Sequence, residues 1–355
     1  MKKMRKQLIK LLNIHGVSGN ETQVRKYLQP ILTHFMDNVG IDSYGNLLAE
    51  KKIGTGIGAT VLLSAHMDTV KGVFADRKLI IDGDVISSDK GALGADDRAG
   101  IAIIMEVLRN IESLSFNGVI KVAFSREEEI GCVGSKKIDP KWYSDVDLAI
   151  VVDRKGNRDI VVGCWDAFCS DAVGLFFEEA SKMQDMDWKA VEGGISDAVT
   201  FSENGVNSVN LSAGYYKEHT ENEYVVLSQM QDTVRLIMQA FGVINSFVGT
   251  FGEVPANNQW VEGYGAYRYG WKNTGSKADN YDNYYSYVSD RNGNLSSFDE
   301  TRFLDDLYAE EKDINGDIFM YEVGSEVAIL QGDNEILMSR KSLKSLFDQI
   351  RGVMA

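Results

Sequence analysis

The 355-residue chain holds only four histidines, at positions 15, 34, 66 and 219. One of them stands directly behind an apolar run, where Val61–Ala65 hands over to His66-Met67-Asp68-Thr69. In extended backbone, residues i and i+2 share a face. Asp68 can therefore accept a hydrogen bond from one imidazole nitrogen while the other meets a metal ion, the way carboxylates orient histidine ligands. Taken alone, the pair reads more simply as a satisfied buried histidine. Carboxylates recur in similar settings, however. Gly94-Ala95-Asp96-Asp97-Arg98-Ala99-Gly100 opens a helical pattern, and the plain reading of Asp96 is an N-cap. Val119–Phe124 runs straight into Ser125-Arg126-Glu127-Glu128-Glu129-Ile130-Gly131, where adjacent carboxylates repel unless a cation or protons relieve them. Asp153 follows Asp147–Val152, and His219 lies a few residues past Val206–Leu211. Each has a solvated or capping explanation singly. Together they predict a metal site of nitrogen and carboxylate donors, which suits zinc, with manganese or cobalt as substitutes.

These residues need elements that bring them to one place. Residues 2–13 and 21–35 read as helices joined by the turn-forming stretch His15–Asn20. After them, the four apolar runs read as strands, with an amphipathic helix over Asp97–Ile111 and a long helix from about Ser228 to Phe247. Strands alternating with helices predict an α/β fold: a mixed, largely parallel twisted sheet with helices on both faces. Polar residues at the carboxyl ends of such strands face the crevice where open α/β sheets bind ligands. After Gly249 the character changes. Seven tyrosines (264, 267, 269, 281, 284, 285 and 287) are interleaved with Gly, Asn, Asp and Ser. A strand pair, Ile318–Val323 and Glu326–Gln331, and a final helix over Asn334–Arg351 are expected next. The division predicted is a catalytic domain over 1–250 and a smaller α+β, Tyr-rich region over 251–355.

Composition narrows the classes. With 37 basic and 52 acidic side chains the net charge is −15, so neither a nucleic-acid nor a membrane partner is expected, since either favours a basic face. The three cysteines, 132, 164 and 169, form no CxxC pair and indicate neither a disulfide framework nor a cysteine zinc site. No apolar run approaches the roughly 18 residues of a membrane span. The basic-then-apolar start reads as an amphipathic helix, not a signal peptide, because Leu8, Leu11 and Leu12 fall at helical spacing. A cytoplasmic enzyme follows as the expectation.

The motifs in order, His66-Met67-Asp68-Thr69, Gly94–Gly100, Glu128-Glu129-Ile130-Gly131, Asp153, Gly193-Gly194-Ile195-Ser196-Asp197-Ala198 and His219-Thr220, resemble those of the di-zinc exopeptidases. That superfamily includes peptidase T, bacterial leucyl aminopeptidases and the aminoacylase and carboxypeptidase group. The resemblance covers roughly residues 4–240. It implies that His66, Asp96 and Asp153 hold one metal and that Asp96, Glu129 and His219 hold the other, with Asp96 bridging. It also implies that Glu128 is the general base and Asp68 orients His66, which leaves Glu127 as an extra carboxylate. Two departures mark this chain. Only 66 positions separate Asp153 from His219, and 30 separate His66 from Asp96. Both gaps are too short for the lid or β-domain that relatives insert there, so the form implied is compact and lidless.

The expected reaction is hydrolysis of a terminal peptide bond. Two divalent ions, roughly 3.5–4 Å apart, acidify a shared water, and Glu128 moves its proton to the leaving amine. The acidic surroundings Glu127, Glu218 and Glu221 favour an amino end over a carboxyl end, hence an aminopeptidase or dipeptidase acting on small peptides. Trp165 and Phe168 are candidates for a side-chain pocket, and Asp197 for a residue near the site. N-acyl amino acid deacylation or carboxypeptidase action on the same residues is the alternative within enzymes. A non-catalytic binding protein acting through the tyrosines is the alternative of another class. Relatives assemble into dimers or shells, which raises a homo-oligomer as an expectation.

Overall fold

The computed structural model describes residues 2–255 and the strand segments 318–323, 326–331 and 334–339. The chain divides into two units, 1–272 and 273–355, and each is described by itself.

The first unit begins with helices α1 (Lys2–Asn13) and α2 (Thr22–Phe35), followed by strands β1 (Asn38–Ile41), β2 (Leu47–Ile53) and β3 (Thr60–His66). A hairpin, β4 (Leu79–Asp82) and β5 (Val85–Ser88), precedes helix α3 (Ala95–Asn110) and strand β6 (Gly118–Ser125). Short helix α4 (Pro140–Tyr143) leads to β7 (Leu148–Arg154), β8 (Asp159–Cys164) and β9 (Asp166–Ala167). Then come α5 (Asp171–Lys182), β10 (Lys189–Glu192), α6 (Asp197–Glu203), β11 (Ser208–Ser212), β12 (Tyr215–Tyr216), β13 (Tyr224–Val226) and α7 (Leu227–Val243).

The main sheet has the order β1-β2-β6-β3-β7-β11-β8-β10, with β9 paired to β8. Its four central strands, β6, β3, β7 and β11, are mutually parallel. Their carboxyl ends share an edge: His66 is in register with Ser125, and Ser212 with Arg154. Strand β3 is buried along its whole length, which explains its unbroken apolar sequence. Val61, Leu63 and Ala65 join one core with α1, α3, α5 and α7. Leu62 joins the other with Tyr143 of α4 and Phe201 of α6. Helices therefore cover both faces. The sheet is mixed and largely parallel, as the alternation of strands and helices predicts. Strand β8 breaks the pattern by running antiparallel to β11, and β10 follows β8 in parallel. The helix at the amino terminus packs as expected, with Met4, Leu8, Leu11 and Leu12 buried. None of the described helices is long and apolar enough to cross a membrane.

A smaller antiparallel sheet, β12-β13-β5-β4, carries the segments around the site. In the second unit, strands β14 (Ile318–Val323), β15 (Glu326–Gln331) and β16 (Asn334–Ser339) form an antiparallel meander. The helix expected over Asn334–Arg351 is thus corrected at its start, where 334–339 is a strand. Residues 334–339 instead pair in antiparallel register with β15, from Gln331 opposite Asn334 to Glu326 opposite Ser339. Positions 340–351 and the tyrosines at 264–287 lie outside the described residues.

Candidate metal centre

His66 closes β3 and is 1% exposed. Its Nδ1 lies 3.2 Å from Asp68 Oδ1 and 3.1 Å from the Asp68 carbonyl oxygen. Its Nε2 lies 3.1 Å from Asp96 Oδ1, 3.5 Å from Asp153 Oδ1 and 3.8 Å from Glu128 Oε2. Asp68 is buried and does more than face the imidazole. It accepts hydrogen bonds from Ser18 Oγ at 2.7 Å and from the backbone N–H groups of Glu128 and Glu129 at 3.0 and 3.2 Å. One carboxylate thereby ties the end of β3 to the turn after β6.

The Asp96 carboxylate stands between the two imidazoles, with Oδ1 toward His66 and Oδ2 3.1 Å from His219 Nε2. Glu129 Oε2 is 2.8 Å from the same nitrogen of His219. The backbone at Asp96 and Asp97 is non-helical, and a cis peptide joins them. The N-cap reading of Asp96 is corrected here. Asp97 Oδ1 accepts from the Gly100 N–H at 2.9 Å, so the helix is capped one residue later and Asp96 is released toward the imidazoles. On the neighbouring strand, the Asp153 backbone exchanges two hydrogen bonds with the Asn210 side chain, at 2.8 and 3.1 Å. Tyr215 Oη donates to Asp153 Oδ1 at 3.1 Å.

The electrostatics test whether this set fits a metal. Burial and the nearby Asp96 push Glu129 up to about 8. Burial again, only partly offset by His66, pushes Asp153 up to about 7. Burial would lower both histidines, yet Asp153, Asp68 and Asp96 hold His66 well above its usual range. His219 is likewise held up to about 11 through Asp96 and Glu129. Among the described residues, Glu129 Oε1 is buried with no hydrogen-bond partner. Buried like charges of this kind require protons or a cation. Ligand atoms of His66, Glu128 and Asp153, and of His66, Asp96 and Glu129, come within 4.8 Å of one another. The nitrogen and carboxylate donors fit divalent ions of the zinc, manganese or cobalt type.

Glu128 adjoins this cluster. Its Oε1 accepts from Cys132 Sγ at 3.2 Å. Burial, then Asp153, raises its carboxyl well above the ordinary range. Asp197 is also buried, and its Oδ2 accepts from Ser125 Oγ. The cap of α6 is the preceding Ser196, accepting from the Ala198 N–H.

Three sequence expectations change. Glu127 is engaged by Tyr44 Oη at 2.6 Å and Arg126 at 3.1 Å, and Glu218 by Lys155 at 2.6 Å. Two of the three carboxylates expected to meet an amino end are therefore already paired. Phe168 is 1% exposed within the second core and cannot line an open pocket. Trp165 is 64% exposed at the tip of the β8–β9 turn. Because β8 runs against β11, that turn sits at the sheet edge opposite His66. Sequence reasoning also missed Asn210, Tyr215 and Glu223. The only signal for Glu223 was a carboxylate four positions after a candidate ligand.

Comparison with known proteins agrees with this architecture. The family model of M42 glutamyl aminopeptidase matches residues 73–236. A putative aminopeptidase of Acetivibrio thermocellus is 21% identical over 328 residues, covering 66% of this chain and 97% of the relative. Escherichia coli peptidase T is 34% identical over 109 residues, covering 30% of this chain and 25% of the relative. Among solved structures, Bacillus cereus aminopeptidase PepT superposes with a TM-score of 0.62 at 18% identity, covering 70% of this chain and 98% of that one. Pyrococcus horikoshii TET1 peptidase does so at 0.55 and 18% identity, covering 66% and 98%. In its ordered motifs and its sheet, the chain is similar to the di-zinc exopeptidases.

Proposed function

We propose that the chain is a metal-dependent aminopeptidase or dipeptidase, that residues 1–250 form its catalytic domain, and that it works in the cytoplasm on small peptides. The observation that carries this reading is the Asp96 carboxylate shared between two imidazoles, with Glu128 beside it. His66, Asp96 and Asp153 would hold one ion, and Asp96, Glu129 and His219 the other. Two such ions, zinc in the first instance, supply the Lewis acidity that acidifies a water and polarises the scissile carbonyl.

The remaining work falls to the chain. Cys132 occupies Glu128 Oε1, so Oε2 is the oxygen turned toward His66. That oxygen takes the proton of the attacking water and returns it to the leaving amine. Burial, then Asp153, raises the Glu128 carboxyl above its ordinary range in the metal-free protein. Asp68 fixes the His66 ring and the backbone of Glu128 and Glu129 at once, so base and ligands keep one spacing. The TET1 peptidase of Pyrococcus horikoshii assembles into a tetrahedron or an octahedral shell, and a homo-oligomer is part of the proposal.

The deciding experiment combines metal analysis of the purified protein with a panel of dipeptides, aminoacyl amides and N-acetyl amino acids, with and without a chelator. Two equivalents of metal and chelator-sensitive release of N-terminal residues support the reading. Hydrolysis confined to N-acetyl amino acids reassigns the site to deacylation. A protein with neither metal nor hydrolysis overturns the proposal.

A further inference from the structure

We infer that Glu223, which touches none of the reacting atoms, is the positioning residue that sets the distance between Asp96 and His219 and so the affinity for the ion they share. The inference rests on the ligand assignment above. Glu223 is 1% exposed. Its Oε2 accepts from the Gly94 N–H at 3.0 Å, and its Oε1 from the N–H groups of Ala95 at 2.7 Å and Asp96 at 3.2 Å.

Three consecutive backbone donors thus converge on one carboxylate, the last belonging to Asp96 itself. Arg77, also buried, holds the preceding carbonyl of Leu93, so this segment is gripped through both donor and acceptor groups. Gly94 adopts a φ of 76°, left-handed backbone that favours glycine. That turn directs three N–H groups to one side.

At its other end Glu223 closes the turn that follows His219, its own N–H donating to the Thr220 carbonyl at 3.2 Å. It leads directly into β13, which pairs with β5 of the hairpin before Gly94. Two ligands of one ion, 123 positions apart in sequence, are therefore joined through one side chain. A carboxylate is the side chain that can accept all three bonds. An amide of the same shape presents its NH2 to at least one backbone N–H, two donors facing each other.

The test is Glu223→Gln in the full-length protein, with zinc affinity measured by competition against a chelator for each of the two equivalents. The expected result is a roughly 10–100-fold weaker second equivalent. The first should change little, kcat should fall at unchanged KM, and excess zinc should restore kcat. A merely structural role would lower thermal stability equally with and without metal and leave both affinities and kcat untouched; that outcome overturns the inference. Glu223→Ala leaves three donors unpaired, and where it fails to fold the isosteric Gln variant decides. A wild-type protein that binds no zinc refutes the ligand assignment. Two normal equivalents in the Gln variant refute only the role of Glu223.

Discussion

Buried carboxylates that face one another need protons or a cation, and at the residue scale that choice is measurable. In metal-free protein burial chiefly pushes Asp153 up to about 7 from an ordinary 3.8, and Glu129 up to about 8 from 4.5. The folded state then keeps protons that the unfolded chain has released. The stability this confers is complete below about pH 4 and is lost as pH rises toward about 8. His66 and His219, also raised, act in the same direction. Chelated protein should show a melting temperature that falls between about pH 5 and 8, whereas metal-loaded protein should show a much flatter profile. Parallel profiles would contradict the metal reading. Glu128→Gln should cut turnover by roughly 100- to 10,000-fold with metal content unchanged; activity like wild type would remove Glu128 from the role of base. That His66, Asp96, Glu129, Asp153 and His219 gather at one sheet edge was legible because each follows an apolar run or opens a helix; which carboxylate would hold which ion came only from the family resemblance. Glu223 was not legible, since its partners are backbone N–H groups 127 to 129 positions away, and backbone donors leave no mark in side-chain spacing.

At the scale of elements, the site depends on how closely α3 approaches the sheet. A Cβ on Gly100 would stand 2.0 Å from the Val152 carbonyl oxygen and 2.4 Å from Asp97 Oδ1. Gly100→Ala should therefore push the helix start from β7, destabilise the fold by about 1–3 kcal/mol and shift Asp97 and Asp153 together. Thermal unfolding and metal content read both effects; an unchanged protein would show that this contact yields without consequence. The strands themselves were readable from their apolar runs. The reversal of β8 was not, and that is why Trp165 was misplaced; Phe168 was misplaced because its side chain is buried in the second core. An isolated run such as Ile160–Val162 reads the same in either orientation, and only the pairing of Asn210 with Val161 shows that β8 is reversed.

On the scale of the whole molecule, the first core closes with Phe251, 3% exposed, and Asn207 Nδ2 donates to the Gly252 carbonyl at 2.9 Å. A chain ended after residue 255 keeps these contacts. It should fold and retain at least half of the full-length kcat on a dipeptide substrate; loss of activity in a folded truncate would assign residues 256–355 a part in catalysis. The reversed strand β8 has a wider consequence. It sends the exposed hairpin tip at Trp165 to the sheet edge opposite His66 and the proposed metal centre. A label or a lengthened loop grafted onto that rim should leave the side chains gathered around His66 in place.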